Sequence, residues 1–137
     1  MTAATEQLVY ADASALVKLA IDEPESEELG RFVTDTRPLL ASSALAVVEL
    51  LRAVRIADRT GVGIARARVR LEEMLLVDVD RDLLDDAVTY TSAHVRSLDA
   101  IHLASAVRIG ARRMLVYDRR LAEAAEAAGI EVLHPGA

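Results

Sequence analysis

Four acidic residues, Asp12, Glu49, Asp99 and Asp118, stand at places in the 137-residue chain from which they could act together. Carboxylates gathered within a few ångströms repel one another, and some take up protons unless a cation relieves the crowding. Oxygen ligands without Cys or His favour magnesium, with manganese as a substitute, over zinc. A divalent ion in such a site lowers the pKa of a bound water, sets it in line with a phosphodiester and neutralises the leaving oxygen. Three of the four acids also have a plainer use. Asp12 and Asp118 close short apolar runs, and Asp99 falls in the first turn of a helix. At all three places capping and the helix dipole favour a carboxylate in any case.

Glu49 differs, because it lies within the aliphatic helical run Ala46-Val-Val-Glu-Leu-Leu51. Its neighbours on the same helix face are Leu45, Ala46, Arg52 and Ala53. One reading is an exposed Glu49–Arg52 pair, contributing about 0.2–0.5 kcal/mol. The other is a carboxylate on a small-residue patch that admits a ligand, with Arg52 reaching substrate phosphate. Ser14 is no hydrolase nucleophile, since no Gly-x-Ser-x-Gly elbow surrounds it. No glycine-rich phosphate loop is present. His102 follows Asp99 by three residues and shares its helix face, whereas His94 and His134 have no evident partner.

The elements that must position these groups alternate. Apolar runs at Leu8–Asp12, Pro38–Ser42, Leu76–Val79, Met114–Tyr117 and Ile130–Leu133 read as strands. Helical patterns fill the intervals: Ser14–Ile21, Glu25–Thr34, Ala44–Arg59, Ile64–Leu75, Asp82–Ser92, Leu98–Ile109 and Arg119–Ala128. Ala44–Arg59 and Ile64–Leu75, separated by Thr60-Gly61, should form an αα-hairpin, and Ser97 should cap the helix that carries Asp99. The alternation predicts an α/β fold, a three-layer α/β/α sandwich on a mainly parallel sheet of about five strands. In such a sheet the ligand site lies beyond the carboxyl ends of the strands, where Asp12 and Asp118 fall.

Length bounds the chain to one domain over residues 1–137. Hydrophobic residues make up 53% and mean hydropathy is positive, so disorder is excluded. With no Trp and one Phe, aromatic stacking cannot be the main grip on nucleic acid. The absence of Cys rules out disulfides, thiolate metal sites and cysteine nucleophiles. The N-terminus has no signal-peptide features, and the longest apolar stretch, Leu39–Leu51, is too short to span a bilayer; a cytoplasmic protein is expected. A net charge of −6 runs against nucleic-acid binding, although much of it would vanish into bound metal. Arg52, Arg55 and Arg59 recur at helical spacing, and Arg66, Arg68 and Arg70 crowd the next helix. They either flank a phosphate-binding groove or form a solvated face of mixed charge.

Four segments together resemble the motifs of the PIN domain, and length, order and spacing are similar to the VapC toxins of bacterial toxin–antitoxin pairs. These are Tyr10-Ala-Asp-Ala-Ser-Ala-Leu16, Val48-Glu-Leu-Leu-Arg52, Leu98-Asp-Ala-Ile-His-Leu-Ala104 and Val116-Tyr-Asp-Arg-Arg120. The resemblance implies that Asp12, Glu49 and Asp99 hold a magnesium ion, that Asp118 is the fourth acid, often acting through water, and that Ser14 supports the first acid or the water. Arg52 and Arg119 are the candidate substrate contacts, and His102 is a core or supporting histidine rather than a ligand. In one departure, Val116 replaces the Thr or Ser usual two residues before the fourth acid. The implied activity is metal-dependent RNA hydrolysis leaving 5′-phosphate and 3′-hydroxyl ends, in a homodimer inhibited by a small VapB-like antitoxin. The antitoxin would offer Arg or Lys to the acids, with Leu16, Leu19 and Leu29 as candidate groove residues. The alternative is a non-catalytic PIN-like module that binds RNA or protein. A receiver domain is disfavoured because the only lysine, Lys18, lies near the start, and a haloacid-type phosphatase because Ser14 breaks its Asp-x-Asp signature.

Overall fold

The computed structural model describes residues 7–137. Among these residues five strands, β1 (Leu8–Ala11), β2 (Leu39–Ser43), β3 (Leu75–Val77), β4 (Arg113–Leu115) and β5 (Glu131–Leu133), alternate with seven helices. The helices are α1 (Ala13–Ala20), α2 (Ser26–Thr36), α3 (Leu45–Ala57), α4 (Val62–Glu72), α5 (Arg81–Tyr90), α6 (Ser97–Arg108) and α7 (Arg119–Ala127). Every strand pairing is parallel, in the order β3-β2-β1-β4-β5. The sheet is therefore wholly rather than mainly parallel.

Side chains alternate across β1, and the two sets enter different cores. Val9 and Ala11 join Leu40 and Leu115 beneath residues of α1 to α4, including Leu16, Leu29, Leu50 and Leu71. Leu8 and Tyr10 join Ala41, Met114 and Val116 on the opposite face, beneath Leu103 and Ala106 of α6 and Leu121 and Ala125 of α7. A smaller cluster seats α5 against α6 and Val77. Helices thus cover both faces, giving the three layers expected. Because both layers are complete, Leu16 and Leu29 are buried in the core and offer nothing to a docking partner; only Leu19 is partly accessible.

β1 ends one residue earlier than its apolar run suggests. Asp12 leaves the ladder to become the N-cap of α1, its side chain accepting from Ala15 N. Ser97 is not the cap of α6: Arg96 takes that position in extended backbone, with no side-chain cap bond, so α6 begins one residue before its expected start. α3 and α4 pack as the expected hairpin. Its turn is organised by Asp58, which accepts from Thr60 N and Oγ1 and from Gly63 N, while Gly61 takes a left-handed φ of 88°. A Cβ on Gly63 would meet Val54 Cγ1 at 2.7 Å and Ile21 Cγ2 at 3.0 Å. Gly63→Ala is therefore expected to destabilise the fold by about 1–3 kcal/mol, measured by urea denaturation. An unchanged midpoint would show that the hairpin opens without cost.

Candidate active site

The strand order reverses at β1, which has β2 on one side and β4 on the other. A doubly wound sheet leaves its crevice at such a reversal, outside the carboxyl ends of the strands. Asp12 follows β1 directly and is only 6% exposed. Ser14 Oγ donates to Asp12 Oδ1 at 2.6 Å and accepts from Tyr117 N at 2.9 Å. One hydroxyl thus fastens the first turn of α1 to the chain leaving β4. Asp118 caps α7, its Oδ1 accepting from Arg120 N at 2.8 Å and Leu121 N at 3.3 Å. The capping use and the crevice position hold together for both residues. Val116, where a hydroxyl would be usual, is buried in the α6–α7 core.

Asp99, in the first turn of α6, is half-buried and its side chain has no hydrogen-bond partner among the described residues. It caps nothing. Burial raises its pKa first, the charge of Asp118 raises it further and Glu49 adds to the effect, while His102 and Arg96 oppose. These three acids therefore share one field. Asp12 is pushed up to about 6 by burial, against its bond from Ser14 and the influence of His102. Glu49 does not pair with Arg52. Its Oε1 lies 2.6 Å from His102 Nε2, and His102 Nδ1 lies 2.7 Å from the hydroxyl of Tyr10. His102 is buried at 2% exposure, a core residue that reaches the site, as expected for a supporting histidine. Neither contact of His102 is legible in the sequence, since they join residues 92 and 53 positions apart.

The structure thus brings Asp12, Ser14, Asp99, Asp118 and Glu49 to one edge of the sheet. Among the described residues, no group of three or more His, Cys, Asp or Glu side chains is placed to hold a metal ion as it stands. In type, the donors are carboxylate oxygens, with Asp118 and Glu49 raising the proton affinity of Asp99, and Asp12, Asp99 and Asp118 have no ion pair with Lys or Arg among the described residues. That set fits a hard divalent cation in both chemistry and charge.

A family model for the PIN domain matches residues 9–127. The chain belongs to the PIN-domain family. Within it, ribonuclease VapC46 of Mycobacterium tuberculosis is 40% identical over 93% of this chain and 97% of its own length. Ribonuclease VapC35 of the same organism is 38% identical, over 94% and 98% respectively. The crystal structure of Mycobacterium tuberculosis VapC20, described as a toxin that cleaves the sarcin–ricin loop, superposes with a TM-score of 0.74 at 19% identity. It covers 93% of this chain and 99% of VapC20, a match of fold.

The arginines of this PIN domain are distributed unevenly. Arg31, Arg81 and Arg108 pair with acids. Arg52, Arg55, Arg59 and Arg68 have no ion pair among the described residues, and together with Ile56, Asp58, Gly61 and Ile64 they line a groove of about 780 Å³ along the α3–α4 hairpin. Arg52 opens this row three residues after Glu49, so the basic groove begins on the helix that carries the acid. Arg119, the other candidate substrate contact, is exposed at the start of α7, next to Asp118. No helix among the described residues is long and apolar enough to cross a membrane.

Proposed function

We propose that this PIN domain is a magnesium-dependent endoribonuclease, the toxin of a toxin–antitoxin pair. The observation that carries the reading is the set of carboxylates at the β1/β4 crevice, two of them with raised pKa and three without a basic partner, in a chain whose relatives are ribonucleases. Asp12, Glu49, Asp99 and Asp118 are the residues to hold the ion, with manganese able to replace magnesium. When bound, the ion would supply activation of water and neutralisation of charge at the phosphodiester. Ser14 holds Asp12 by accepting from Tyr117 N while donating to Oδ1, which fixes the carboxylate relative to β4. Arg52 and Arg119 flank the edge and contact substrate phosphates. A VapB-like antitoxin would inhibit by placing a basic side chain among the acids, where it supplants the cation's charge. The family also suggests a homodimer.

Purified protein freed of any partner should cut RNA in magnesium or manganese and stop in EDTA, with activity restored by excess metal. Cleavage at full rate in EDTA would exclude the metal mechanism, and RNA binding without cleavage under every metal condition would favour a non-catalytic module.

A further inference from the structure

We propose that Tyr10 and His102 are positioning residues for Glu49: the Tyr10 phenol donates to His102 Nδ1, which commits Nε2–H to Glu49 Oε1 and leaves Oε2 as the oxygen offered to a cation. The proposal rests on the acidic-site reading above. Tyr10, on the central strand, is fully buried, and its ring meets His102 edge-on with centroids 5.9 Å apart at 78°. The two bonds form an unbroken line from β1 through α6 to α3. Both buried members sit on rigid elements, so the imidazole has little room to move. Glu49 itself is a half-exposed side chain with three rotatable bonds, and its Oε2 has no hydrogen-bond partner among the described residues.

The order of donors follows from what each group can offer. Burial raises the Tyr10 pKa well above its ordinary value, so the phenol keeps its proton and can donate it. If Nδ1 carried the only ring proton instead, a bare Nε2 would face a carboxylate oxygen at 2.6 Å, two acceptors in contact. With Nε2–H directed at Glu49, every bond in the line has one donor and one acceptor. Ser42 and Ser105 both lie beside the phenol and oppose the rise in its pKa; Ser105 Oγ donates to Ile101 O at 2.7 Å, and Ser42 Oγ has no hydrogen-bond partner among the described residues. The hydrogen bond of the phenol is the 2.7 Å one to His102 Nδ1. A supporting group that fixes the orientation of a ligand typically changes metal affinity or activity about 10–100-fold when removed.

Nitrogen NMR of the ¹⁵N-labelled, metal-free protein should show His102 Nε2 carrying the proton and Nδ1 accepting a hydrogen bond, and Tyr10→Phe should turn this into a mixture of placements. By calorimetry with manganese alone, Tyr10→Phe and His102→Ala should each bind about 10–100-fold more weakly. His102→Gln, whose amide can still donate to Glu49, should recover part of the loss. In cleavage, Tyr10→Phe should lower kcat at limiting manganese and regain it at high manganese, with KM for RNA unchanged. A wild type protonated at Nδ1, or at both ring nitrogens, overturns the proposed line whatever the variants do. Manganese binding by Tyr10→Phe equal to wild type overturns the positioning role. A wild type with the expected tautomer that binds no manganese overturns the acidic-site reading, and with it any catalytic use of the line.

Discussion

Asp12→Asn is expected to make the metal-free protein more stable while removing its nuclease activity. Folding buries Asp12 and lifts its pKa from the ordinary 3.8 to about 6, chiefly through desolvation. Between those values the native state holds a proton that the unfolded chain has released, so stability falls as pH rises through that window. Below about pH 4 both states are protonated and the penalty is absent. Above pH 6 it is fully present, at most roughly 3 kcal/mol for a displacement of this size. Asn carries no charge to desolvate and keeps an oxygen that can accept from Ser14 and Ala15, so the cap survives. In EDTA at pH 7.5 the variant should melt several degrees higher, about 5–10 °C, and at pH 4 the two proteins should converge. With magnesium the wild type gains stability by mass action and the variant does not. RNA cleavage should fall at least about a hundredfold. A variant that melts lower in EDTA at pH 7.5 and still cuts RNA would remove Asp12 from the site.

Loss of the basic groove should act on binding and spare the chemical step. Arg52→Ala, Arg55→Ala, Arg59→Ala and Arg68→Ala combined move the formal net charge from −6 to −10 and strip the groove of its guanidinium groups. Each arginine that neutralises a phosphate releases counterions, contributing about 0.7–0.9 to the slope of log affinity against log salt. Four such contacts predict a slope shallower by about 3 in the variant. KM for RNA should rise steeply at low salt and converge toward wild type at high salt, while kcat at saturating RNA is retained. An unchanged salt slope would mean that this surface is a solvated face and that RNA enters from elsewhere.

Much of the frame behind these predictions is legible in the sequence. The two-residue period of Leu8-Val-Tyr-Ala divides between two cores as the pattern demands, and the acid that ends that run lands at the crevice because parallel strands deliver their carboxyl ends to one edge. The errors lie where tertiary packing outranks local signals. Ser97 reads as a cap by type, yet Arg96 already has the extended backbone from which α6 starts. Leu16 and Leu29 read as candidates for a docking groove, but the packed layers bury them. Spacing offers Glu49 either Arg52 or the site, whereas a buried histidine far along the chain claims one of its oxygens. Local periodicity carries no information about partners that meet only when the sheet closes, which is why Tyr10 gave no sign of its contact.

The pairing of Tyr10 with Met114 has a further consequence during synthesis. The central strand is made before either of its neighbours, and β4 is made long after β2. At about 5–20 residues per second, the interval between β1 and β4 is roughly 5–20 s. Until β4 arrives, Ser14 lacks its Tyr117 contact, Asp118 does not exist, and the sheet has no reversal at which a crevice could form. A nascent chain that has not yet added β4 therefore has no complete crevice, and a protein that binds there has that whole interval in which to be waiting.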